Sequence, residues 1–107
     1  MELAFGTKQL RTVCEEDTAA EVAYGLSVSG QLRRRLADLR AARSLVELVV
    51  GRPTVDPTDE HVLIVDLCDG FVLRLRVNHL DPPRDQVAAI EWGRVRRLQV
   101  VSIGPRS

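Results

Sequence analysis

The sequence predicts an α+β domain in which two helices lie against an antiparallel sheet, in the order β-α-α-β-β-β. Three observations carry this. Residues 31–50 place leucine and valine at helical spacing, residues 71–78 alternate apolar and polar side chains directly after an Asp-Gly turn signal, and 107 residues leave room for a single core. Apolar residues make up 45% and charged residues 28% of the chain, the composition of a packed globular domain rather than of a fibre or a disordered tail. Residues 1–107 are therefore expected to form one domain.

Residues 2–5 are a short apolar opening strand, and Thr7 is an N-cap for a helix over residues 8–16, where Leu10, Val13 and Cys14 share a face. Thr18-Ala19-Ala20-Glu21 has the spacing of a capping box and predicts the start of a second helix. Gly25 and Gly30 weaken its first half. From Gln31 onward Leu32, Leu36, Leu39, Ala42, Val46 and Val49 hold one face up to Val50, and Gly51 with Pro53 is the expected stop. Arg33, Arg34, Arg40 and Arg43 fall off that stripe and face solvent or a partner.

Residues 53–60 read as an acidic, turn-rich connection. Residues 61–67 are a β-rich run with apolar residues on both faces, and Asp69-Gly70 then signals a hairpin. In the returning strand Phe71, Leu73, Leu75 and Val77 point one way, while Val72, Arg74, Arg76 and Asn78 point the other. A proline-bearing loop over residues 80–89 leads past Trp92 to a last strand over residues 94–103. No internal repeat is present.

Fifteen basic and fifteen acidic residues cancel, which argues against a uniformly positive nucleic-acid coat, yet the charges are not evenly spread. Residues 31–52 carry six bases and two acids, and residues 74–107 carry seven and three, whereas residues 53–73 carry five acids and no base. Fourteen of the fifteen bases are arginine, whose planar fork suits bidentate phosphate contact, although GC-rich codon usage would enrich arginine as well. Cys14 and Cys68 lack the close spacing of zinc or redox motifs and read as reduced core thiols. No apolar run approaches the roughly 18 residues of a membrane span, and Met1 to Gly6 lack the basic-then-apolar order of an export signal, so a cytoplasmic location is expected.

Several spaced landmarks stand together in this chain: the leucine-and-arginine helix with its Ala41-Ala42 pair, Asn78-His79 after the third strand, Pro83-Arg84 in the loop, and Ile90-Glu91-Trp92 entering the last strand. In order and spacing, over nearly the whole chain, they resemble the plasmid-maintenance killer proteins, the HigB-like branch of the RelE/ParE toxin superfamily. The resemblance implies the toxin of a type II toxin–antitoxin pair, neutralised by a helix-turn-helix antitoxin and cutting messenger RNA in the ribosome without a metal ion or other cofactor. ParE relatives share the fold and poison DNA gyrase instead, so gyrase is the alternative target. No membrane partner is implied.

Metal-independent RNA cleavage needs a base for the ribose 2′-OH, cations for the crowded phosphate and an acid for the leaving oxygen. The family's usual sources of these are replaced here. Val72 stands where an arginine follows the hairpin glycine, Gly104-Pro105-Arg106-Ser107 replaces an Asp-Tyr-His ending, and the acidic residues 53–60 replace a histidine- and lysine-bearing approach. The remaining catalytic candidates are His79 as acid or base, with Arg74 and Arg76 as phosphate-binding cations roughly 7 Å apart on one strand face. The plain alternatives are a locally hydrogen-bonded loop histidine and a salt-bridged sheet face paired to Asp66. The RNA-binding candidates are Arg33, Arg34, Arg40, Arg43, Arg84 and Arg96, set against a solvated helix face and, for Arg84, a turn-stabilising role. Arg106 and Ser107 are expected to fray. A non-catalytic binding protein on the same scaffold, either a gyrase inhibitor or a decayed toxin that engages only its antitoxin, is the second reading.

Overall fold

A computed structural model of the chain describes residues 1–45 and 52–106. Among the described residues the order is β1 (Glu2–Phe5), α1 (Lys8–Glu15), α2 (Asp17–Ala41), β2 (Thr54–Asp56), β3 (Asp59–Asp66), β4 (Phe71–Val77), a 3-10 turn (Trp92–Arg94) and β5 (Arg97–Pro105). The strands form one sheet in the order β1-β5-β4-β3-β2. The α+β class holds, and the sheet is mixed: β1 runs parallel to β5, with Leu3 opposite Leu98, while the other neighbours are antiparallel.

Alternation along the strands sets the core. Leu63 and Val65 of β3, Leu73, Leu75 and Val77 of β4, and Leu98 and Val100 of β5 meet Leu32, Leu36 and Leu39 of α2 in one buried cluster. Val62, Ile64 and Val72 point to the opposite face and are buried as well, as the two-sided apolar run of residues 61–67 anticipates. The Asp69-Gly70 turn takes positive φ at both residues, 55° and 76°, the conformation that a two-residue hairpin requires. Thr7 caps α1, its hydroxyl accepting from the Leu10 amide at 3.1 Å.

Several sequence expectations are corrected. The second helix starts at Asp17 with Glu16 as its N-cap residue, so Thr18 lies inside the first turn rather than capping it. One residue separates α1 from α2, and the turn is too tight for a separate cap.

The second helix is also bent. Gly25 takes φ 86° and ψ 169°, and Arg33 reaches Asp17 at 2.6 Å. Sixteen residues of straight helix would span about 24 Å, so the arms on either side of Gly25 turn back on one another.

The helix ends at Ala41 rather than near Gly51, because Ala42 adopts extended angles and the Met1 ammonium donates to the carbonyls of Leu39 at 3.0 Å, Arg40 at 3.1 Å and Ala42 at 2.6 Å. A positive group on these otherwise orphaned carbonyls closes the helix where the local sequence carries no stop. Val46, Val49 and Gly51 lie outside the described residues.

Finally, the acidic connection contains β2, which pairs with β3 through a turn in which Asp56 Oδ1 accepts from the Thr58 amide at 2.8 Å and hydroxyl at 2.7 Å. The last strand begins at Arg97 rather than Arg94 and continues to Pro105, where it pairs with Phe71. Arg106 is held too, its amide donating to the Gly70 carbonyl at 3.0 Å, so the expected fraying does not occur there.

Cys14 and Cys68 are free and half-buried. Burial pushes the Cys14 thiol up to about 11, as a core thiol should be, whereas Cys68 sits at the β3–β4 turn rather than in the core. Among the described residues no helix is long and apolar enough to cross a membrane.

Candidate functional site

Period-two alternation puts Arg74 and Arg76 on the sheet face away from the helices. Arg74 lies opposite Ile64 on β3 and Ser102 on β5, and Arg76 lies opposite Val62 and Gln99. These register neighbours include two of the buried apolar residues of that face, so the arginine stems cover apolar sheet while their heads remain polar.

The two heads diverge. Arg74 Nη2 donates to the Arg106 carbonyl at 2.8 Å, toward the β3–β4 turn, while Arg76 Nη1 donates to Asp59 Oδ2 at 2.9 Å, toward the start of β3. Asp66, proposed from sequence as their partner, sits opposite Val72 and is taken by two other arginines. Arg52 donates to its Oδ2 from Nε at 3.0 Å and Nη2 at 2.7 Å, and Arg106 donates to its Oδ1. Four guanidinium groups, from Arg52, Arg74, Arg76 and Arg106, thus share the open face with Asp56, Asp59 and Asp66. Sequence reasoning missed Arg52 and Arg106, because nothing local reveals that Asp66 draws the two chain segments together.

Hydrogen bonds from Arg52, then Arg106, hold the Asp66 carboxyl below its usual range against partial burial. Asp59 is held low chiefly by the His61 amide and then by Arg76, and Asp56 chiefly by the Thr58 hydroxyl and amide. A carboxyl whose folded value is depressed stabilises the fold above its ordinary 3.8, and that contribution is lost as pH falls through the folded value. Asp66→Asn is accordingly expected to cost about 1 kcal/mol at neutral pH, since its two arginine partners are largely exposed and the pairs are screened. The difference from the unaltered chain should shrink at about pH 3. Urea midpoints at the two pH values measure it, and a difference independent of pH would count against the ion-pair assignment.

His79 stands apart from this face. Its Nε2 accepts from the backbone amides of Arg96 at 3.1 Å and Arg97 at 3.3 Å, which fixes the proton of the neutral ring on Nδ1 and occupies the lone pair that a general base would use. This is a local structural bond holding the end of β4 to the start of β5. Arg84, in the same cleft of about 460 Å³, donates to Glu60 Oε1 at 3.1 Å and to the Ala88 carbonyl at 2.7 Å, and so clips the loop to β3. His79, Arg74 and Arg76 are not brought together.

The helix arginines separate into two groups. Arg33 is paired with Asp17, and Arg34 lines a groove with Leu26, Gly30, Cys68 and Asp69. Arg40 and Arg43, at the other end of α2, meet Arg96 and Arg97 across a groove floored by the start of β1. Arg97 lines this groove together with Arg96. No known protein family, curated protein or solved structure matches this chain.

Proposed function

We propose that the chain is the toxin of a type II toxin–antitoxin pair, of the HigB-like kind, which holds RNA phosphates on its open sheet face in the ribosome and cleaves weakly. The observation that supports this reading best is the state of Arg74. Its guanidinium is oriented by a carbonyl rather than hydrogen-bonded to a carboxylate, with Asp56 as a charge neighbour. Arg52 and Arg106 sit beside it on a shared carboxylate, and Arg76 is held by the partly exposed Asp59. Solvent-screened pairs of this kind exchange readily, and a phosphodiester offers each fork the same two-oxygen acceptor that a carboxylate does.

Proton transfer is poorly provided for. The carboxyls on the face are held ionised and are weak bases, and the His79 Nε2 is already bonded. Binding with slow strand scission follows from that chemistry. The same His79 geometry favours the second reading, a non-catalytic binder directed at gyrase or retained only to engage a helix-turn-helix antitoxin.

Mapping messenger 5′ ends after incubation with translating ribosomes tests the first reading. Sparse, protein-dependent new ends are expected, and intact message at high protein concentration would reject cleavage. Growth arrest on overexpression should be relieved by Arg74→Ala plus Arg76→Ala, and unchanged arrest in that variant would count against the sheet face. Inhibition of gyrase supercoiling with untouched message would transfer the assignment to the second reading.

A further inference from the structure

A groove of about 430 Å³ runs between α2 and the β3–β4 turn, within the usual range for small-ligand sites of roughly 300–1,000 Å³. Leu26, Gly30, Gln31 and Arg34 form its helix wall, and Cys68 and Asp69 form the wall opposite.

Three of its features are unexplained by the fold. Gly30 lies in the straight arm of α2, where glycine is a poor choice, yet a Cβ there would meet nothing within 4 Å. The missing side chain therefore eases no packing and leaves the groove open. Gln31 Oε1 is sealed from solvent and accepts no hydrogen bond among the described residues, a state that buried acceptors rarely keep. Arg34 and Asp69 face the same groove, and among the described residues neither side chain has a hydrogen bond or an ion pair, with each other or with any neighbour.

We propose that this groove receives one unstacked guanine base. The proposal rests on the RNA-binding reading given above and names what the protein reads along that strand. A phosphate is disfavoured beside Asp69 and a cation beside Arg34, so the fitting ligand offers donors and acceptors rather than net charge. Guanine presents N1–H and the 2-amino group as adjacent donors on one edge, and O6 and N7 as adjacent acceptors on the next. Asp69 can accept from the first pair and Arg34 can donate to the second, the commonest specific contact between arginine and a base. The terminal torsion of Gln31 is soft, so its amide oxygen can turn to the remaining 2-amino hydrogen. Leu26 and Cys68 offer the ring an apolar flank. Adenine would set an acceptor, N1, against the carboxylate, and the pyrimidines lack the O6 and N7 pair.

The groove also stands where a bound strand can reach it. Cys68 and Asp69 line the neighbouring cleft as well, together with Arg52, Asp66 and Arg106. Arg74 donates to the Arg106 carbonyl, so a strand held by its phosphates at these arginines has only the turn to cross before a base enters the groove.

The test is fluorescence anisotropy at about 50 mM salt with labelled oligouridine and the same oligonucleotide carrying a single guanosine. The guanosine should tighten binding by about tenfold or more. Inosine, which lacks the 2-amino group, and 7-deazaguanosine, which lacks N7, should each lose part of that gain. Asp69→Asn keeps the size of the side chain at a residue with φ 55°, which asparagine tolerates, and should bring the ratio of the two affinities close to one. Gly30→Leu, which fills the groove from a helical position with open space, should do the same, with urea midpoints to confirm folding.

Arg74→Ala plus Arg76→Ala should weaken both oligonucleotides alike and keep their ratio. Equal affinity for the two in the unaltered protein would overturn the guanine site and leave the sheet-face reading standing. A preference that survives in both folded groove variants would overturn it too. Binding of neither oligonucleotide would overturn both readings.

Discussion

Truncating Leu39 to alanine is expected to lower the free energy of unfolding by about 3–5 kcal/mol, the range for a fully buried leucine whose cavity cannot collapse. Leu39 has no exposed surface and packs with Leu32 and Leu36 in the cluster that joins α2 to the sheet. Its surroundings are rigid on both sides, since strands β3, β4 and β5 present leucine and valine side chains and the Leu39 carbonyl is tied to the Met1 ammonium. Domains of this size are stable by about 5–15 kcal/mol, so the loss would remove a large share of the total. The urea midpoint should fall with little change in slope. A cost below about 1 kcal/mol would mean that α2 does not pack on the sheet as described. The consequence reaches the groove at the end of α2, because Arg40 is the next residue and depends on the same packing for its position.

Gly25→Ala is expected to cost about 1–3 kcal/mol although nothing lies within 4 Å of the new methyl group. The penalty is one of backbone, since φ 86° with ψ 169° belongs to a region that only glycine occupies readily. Gly30, five residues on, offers the matching control. It too has open space around it, it has no such φ, and it lies in the straight arm of α2, so alanine there should stabilise by about 0.5–1 kcal/mol. Opposite signs at the two positions, read from thermal or urea unfolding, would establish the bend. Equal stabilisation at both would require α2 to run straight through Gly25 and would break the Arg33–Asp17 pair.

The contrast between these glycines shows where the sequence was legible. Periodicity located α1, the leucine stripe of α2 and the β3–β4 hairpin, because each depends on local spacing and on residues with strong conformational preferences. It identified Gly25 as a weak point but could not distinguish a weakened helix from a folded one, since that depends on Asp17 meeting Arg33 sixteen residues away. The end of α2 was illegible for the same reason: the group that closes it is the amino terminus, brought there by the parallel pairing of β1 with β5. Strand β2 was hidden in an acidic segment whose only β signal is Thr54-Val55 before a turn.

The candidate site was legible as residue types and illegible as geometry. Alternation put Arg74 and Arg76 on one face, yet their heads part because Asp59 and the Arg106 carbonyl pull in opposite directions. The helix arginines formed one set in sequence and two in space. Arg40 and Arg43 gain Arg96 and Arg97 as neighbours only through the sheet order, which no local pattern encodes.

That sheet order also governs how copies of the chain meet one another. The rims are occupied by the two shortest strands, β1 with four residues and β2 with three, and β1 covers β5 along Arg97 to Val100. Pro53 and Pro57 flank β2 and deny it two of the amide donors that an incoming strand would need. At the β2 rim a polypeptide accumulating to high concentration would find little to extend, which gives that side of the sheet built-in resistance to edge-to-edge aggregation.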